Sequence, residues 1–138
     1  MSAANPKYKI ASEVAEQEFE RMCEAGRIEY DTSELTEAEL AEWKTLRAQI
    51  VRDLRIGTLI VGVDGRPTYT PPGASKGFTL NPATGATLIA MKSKTNDVEG
   101  FCLALADMTE TDRGSFSKLR ASDFWACCRI VRLFLLDQ

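Results

Sequence analysis

Apolar positions recur at helical spacing in about five stretches of this chain and run extended in three short ones. Ser12 is placed to cap a helix to about Ala25, with Val14, Ala15, Phe19, Met22 and Cys23 along one stripe. Gly26 should end it in the left-handed conformation. Thr36 followed three residues later by Glu39 spells a capping box, with Leu35 and Leu40 placed for a hydrophobic staple. The helix it opens carries Leu40, Trp43, Leu46, Ile50 and Leu54 and closes at Gly57. Burying those side chains contributes on the order of 10 kcal/mol at most, against an extended reference chain.

Leu59-Ile60-Val61, Asp64-Gly65 and Pro67 to Thr70 then read as a β-hairpin, since Asp-Gly suits a two-residue loop. Pro67 should hold the second arm at a sheet edge. Pro71 to Gly77 reads as a linker. Beyond it, Phe78-Thr79-Leu80 is short and extended. Asn81 and Pro82 fit a helix cap and first helical position, with Leu88, Ile89 and Met91 inward. After a polar break from Lys92 to Asn96, a helix carries Val98, Phe101, Cys102, Leu105 and Met108. A short turn or helix holds Phe116 and Leu119. A last helix begins at Ser122 or Asp123, with Phe124, Cys127, Cys128, Val131, Phe134 and Leu135 inward.

The fold class that follows is α+β and mostly helical: about five helices, a small β-hairpin and one short extra strand. Residues 1–72 form an N-terminal helical unit with the hairpin and residues 77–138 a C-terminal helical unit, either separate or packed as one compact domain. Residues 1–11 carry no pattern and are expected to be loosely attached.

Composition narrows the function. The 138 residues carry a net charge of −3, which disfavours coating nucleic acid. No apolar run is long enough to span a membrane, and the N-terminus lacks the apolar stretch of a secretion signal, so the chain is expected in the cytoplasm. Charge is uneven: residues 13–42 hold eleven acids and two arginines, a net −9, while residues 44–55 hold four bases and one acid. This reads as a solvated acidic face beside a basic helix end, or as a surface for a basic partner.

The chain has no histidine, hence neither the commonest metal ligand nor the commonest general base. Its four cysteines, Cys23, Cys102, Cys127 and Cys128, form no C-x-x-C pair and read as reduced core thiols. Carboxylate pairs such as Glu16/Glu20 and Glu39/Glu42 share helix faces without a Glu-x-x-His motif. No phosphate loop is present, and Arg129 and Arg132 fall on the exposed side of the last helix by spacing. The expectation is no enzyme, no cofactor and no metal. Four consecutive apolar residues, Leu133 to Leu136, cover more than one helical face, so the last helix is either sandwiched inside the fold or offers a subunit or client interface.

The line Phe78-Thr79-Leu80-Asn81-Pro82-Ala83-Thr84-Gly85-Ala86-Thr87-Leu88, then Leu105 to Thr109, Phe116 to Leu119, Asp123, Val131 and Phe134-Leu135, resembles the small tail assembly chaperones of long-tailed bacteriophages. The likeness covers roughly the C-terminal 60 residues; Thr109-Glu110 stands where the family often has Thr-Gly, and the family's N-terminal part is usually β-rich. It implies a non-catalytic protein of the bacterial host's cytoplasm that binds apolar helices of the tape measure protein until tail-tube proteins assemble around them. Met91, Met108, Phe134, Leu135 and Leu136 are the partner-binding residues expected on that reading, with homo-oligomer formation possible. The alternatives are a structural phage tail or connector subunit and a small regulatory DNA-contacting protein; a membrane role is not expected, and the acidic balance argues against nucleic acid.

Overall fold

The computed structural model describes residues 8–28 and 31–135. Among these, six helices and one three-stranded antiparallel sheet follow in the order α1 (Ser12–Ala25), α2 (Glu37–Ile56), β1 (Leu59–Val61), β2 (Pro67–Tyr69), β3 (Phe78–Thr79), α3 (Gly85–Lys92), α4 (Asp97–Thr109), α5 (Gly114–Ser117) and α6 (Ala121–Phe134). The fold is α+β and mostly helical.

The α1–α2 pair is built as its stripes predict, with two exceptions: Val14, and Leu40, which is only half-buried. Ala15, Phe19, Met22 and Cys23 are buried, whereas Val14 faces solvent. The rings of Phe19 and Trp43 lie 6.2 Å apart at the interface. Arg47 of α2 reaches Glu16 and Glu20 of α1 and lies over the Phe19 ring. Part of the acidic face is thereby paired within the molecule.

The helix ends show two corrections. Ser12 lies inside α1; Ala11 is the N-cap and no side chain caps it. Gly26 is right-handed (φ −82°), and Arg27 takes the left-handed position at φ 55°. Its N–H reaches Glu24 O and the Ile28 N–H reaches Cys23 O, the paired bonds of a Schellman ending. Ile28 packs on the core. At α2 the capping box is present, with the Glu39 N–H on Thr36 Oγ1 and the Thr36 N–H on Glu39 Oε1.

Residues 8–10 are fastened to the end of α2 rather than loose. The Lys9 N–H donates to Arg55 O at 2.6 Å, Arg55 Nε donates to Ile10 O, and the Arg55 guanidinium lies 4.0 Å from the Tyr8 ring centre. The earlier residues expected to be loose lie outside the described part of the chain.

The hairpin turns with three loop residues, not two. Gly62 and Arg66 close it through the Gly62 N–H on Arg66 O, and the Gly65 N–H returns to Gly62 O. Gly65 stands at φ 87°, the left-handed position of a three-residue loop. A Cβ there would lie 2.2 Å from Ala25 Cβ, so the turn seats on the end of α1.

The sheet order β1–β2–β3 places β2 in the centre, not at an edge. Pro67 is tolerated because it begins the strand, where the missing donor costs a single ladder bond; its carbonyl still accepts the Leu80 N–H at 2.9 Å.

Helix α3 starts later than Asn81-Pro82 suggests. Asn81 is already committed: its N–H donates to Met108 O, its Oδ1 accepts from Arg66, and its Nδ2 donates to Glu110. The helix begins after Thr84, whose N–H donates to Thr87 Oγ1. Thr87, fully buried, donates in turn to Asp107 Oδ2 of α4. The expected inward side is thus corrected: Thr87 points in, Leu88 and Met91 are half-buried, and Ile89 is 74% exposed. Helices α3 and α4 approach closely at Gly100, where a Cβ would come within 2.6 Å of Met91 O.

One hydrophobic cluster takes side chains from both sides of the 71–77 stretch, among them Phe19 and Leu46 before it and Leu105 and Val131 after it. Strand β3 pairs with β2 across that stretch, and Phe78 lies 4.6 Å from the Phe116 ring.

Candidate protein-docking site

Two features stand apart from ordinary core packing. The first is a polar cluster joining α2, β2 and α6. Tyr69 donates to Asp123 Oδ1 at 2.7 Å, and Arg129 donates to Asp53 Oδ2 at 3.0 Å. Arg129 is therefore half-buried and paired, a correction to the exposed position that its spacing suggests; Arg132 is exposed. Burial pushes the Asp53 carboxyl above its ordinary value despite Arg129 beside it. Burial, followed by the Asp123 carboxylate, pushes the Tyr69 hydroxyl upward, which keeps it a hydrogen-bond donor. The cluster ties α6 to β2 and to α2 through these two bonds, while Arg129 Nε stays buried without a partner.

The second feature is an open groove between α4, α5 and α6. It encloses about 450 Å³ over Phe116 and Phe124, with Val98, Leu119 and Trp125 along its walls. Val98 is 47% exposed and Trp125 46% exposed, although the spacing of α4 assigned Val98 to the core. Trp125 also lines an adjoining hollow of about 330 Å³, whose other walls include Phe101, Cys128, Arg129 and Arg132. The two hollows thus meet at one indole.

The sequence supplies each part of this groove locally. Asn96 caps α4 by accepting from the N–H groups of Val98 and Glu99, which sets Val98 on the first turn. Helix α6 buries Phe124, Cys127, Cys128 and Val131, and Trp125 falls just off that stripe. The legible signal was an aromatic side chain placed outside the inward set of an otherwise amphipathic helix.

The groove walls are chemically quiet. Burial raises the Cys102 thiol, and burial raises that of Cys128 to about 12. Both stay protonated near neutrality and act as apolar wall. Among the described residues no group of three or more His, Cys, Asp or Glu side chains converges as a metal site, and no helix is long and apolar enough to cross a membrane.

The partner-binding residues expected from the sequence fall elsewhere. Met108 is 1% exposed and faces the core, so it offers no surface; its place one turn from Leu105 on the inner side of α4 accounts for this. Met91, Phe134 and Leu135 are half-buried and packed against the core. Phe134 lies at a small hollow walled by Gly26, Gly65 and Leu80, beneath the hairpin turn. Leu133 is fully buried, and Leu136 lies outside the described residues. None of Met91, Met108, Phe134 and Leu135 lines the Trp125 groove. Comparison with protein-family models, with characterised proteins and with solved structures finds no match.

Proposed function

We propose that this chain is a tail assembly chaperone of a long-tailed bacteriophage, or a tail-cluster relative of one. It works without catalysis in the host cytoplasm and holds an apolar helix of the tape measure protein in the groove between α4, α5 and α6. The observation that carries the docking role is the exposed pair Val98 and Trp125 over a floor of Phe116 and Phe124. A concave apolar surface with an aromatic at its rim is where a helix finds an anchor. The resemblance of residues 78–135 to such chaperones supplies the client.

Co-expression with a tape-measure fragment tests the reading. The wild-type chain should keep the fragment soluble and co-purify with it, and Trp125→Glu should lose both while remaining folded. Unchanged fragment solubility with the wild type would defeat the proposal.

A further inference from the structure

The charges around the groove run against the sign of the molecule. The chain as a whole is at −3, yet the charged residues lining the two joined hollows are Arg113, Arg129 and Arg132 against a single carboxylate, Glu99. Arg132 is exposed and has no ion-pair partner among the described residues. Arg129 spends one nitrogen on Asp53, but its Nε is buried with no hydrogen-bond partner. An arriving carboxylate therefore meets the exposed Arg132 guanidinium first, where a charge-assisted pair can form.

The arrangement also has a direction. Ala121, Trp125, Arg129 and Arg132 recur on one face of α6, spanning about 16 Å at helical rise. One end of that line borders the apolar hollow and the other is cationic. We infer that the groove selects an amphipathic helical segment of another protein that carries carboxylates beyond its apolar face, seated with the apolar face over Trp125 and the acidic end at Arg129 and Arg132. This rests on the docking reading of the groove and adds a charge rule to it: apolar helices ending in lysines are poor occupants.

The test uses the full chain and a pair of short leucine-rich helical peptides, one carrying glutamates in an end turn and the other lysines there, each made in both orientations. Binding is read by peptide fluorescence anisotropy at low salt. The glutamate peptide should bind about five- to tenfold more tightly than the lysine peptide, the difference between an attractive and a repulsive partly exposed pair. Arg132→Gln should shrink that preference, added salt should erase it, and Trp125→Ala should weaken both peptides.

Equal affinity of the two peptides for the wild type would overturn the charge rule while leaving the groove as a docking site. No response to either peptide would overturn the inference, as would a concentration-dependent mass showing the groove filled by a second copy. Failure of the chaperone reading registers separately, as an insoluble tape-measure fragment beside a glutamate peptide that still discriminates.

Discussion

The hydroxyl of Tyr69 donates to the carboxylate of Asp123 at 2.7 Å, joining residues 54 apart in sequence and tying the central strand β2 to the first turn of α6. Both residues are buried. Tyr69→Phe keeps the ring and removes the donor, leaving a buried carboxylate short of a partner. The expected cost is about 1.5–3 kcal/mol, read as a lower urea midpoint at unchanged slope. A change within the error of the measurement would mean that α6 is held by apolar packing alone.

Arg27 holds a left-handed conformation that disfavours any side chain with a Cβ. Arg27→Gly should stabilise the protein by about 0.5–1 kcal/mol, the relief at the helix end less the added freedom of the unfolded chain. Thermal unfolding checks the sign. A loss of stability would show that the arginine side chain contributes more than its backbone costs.

Part of the fold was readable because its causes are local. The Thr36 box needs only Glu39 three residues on, and the buried face of α2 needs only the spacing of Trp43, Leu46, Ile50 and Leu54. What was missed depends on distant partners. Asn81 looks like a cap until Arg66, Met108 and Glu110 claim it. Pro67 looks like an edge residue until Leu80 comes back to pair with it. The surface was hardest to read: Phe134 and Leu135 look like an offered end, yet they pack on the core, while Val98 is exposed because no neighbour covers the first turn of α4.

Burial raises the thiols of Cys23, Cys102, Cys127 and Cys128 above the ordinary value of 9.0, with Cys23 and Cys128 reaching about 12. In the unfolded chain they ionise first, so between pH 9 and about 12 the folded state binds more protons. Stability should therefore hold below pH 9 and fall as pH rises through that window, by up to about 1.4 kcal/mol per pH unit for each such thiol. Cys127→Ala should make the fall shallower in denaturation series across that range. An identical slope in the variant would contradict the assignment.

Trp43 anchors the α1–α2 interface against Phe19, and it is nearly enclosed. Trp43→Ala should cost about 3–5 kcal/mol by equilibrium denaturation. A loss below about 1 kcal/mol would make α2 peripheral, against the single cluster in which it sits.

The central claim is that the α4–α5–α6 groove takes the client helix, and hydrogen exchange on the co-purified tape-measure complex tests it most directly. The account predicts slowed exchange on binding in the turns around Val98, Leu119 and Trp125, with little change in α1 or the hairpin. Protection centred on α3 or the hairpin, with the Trp125 region unaltered, would contradict it.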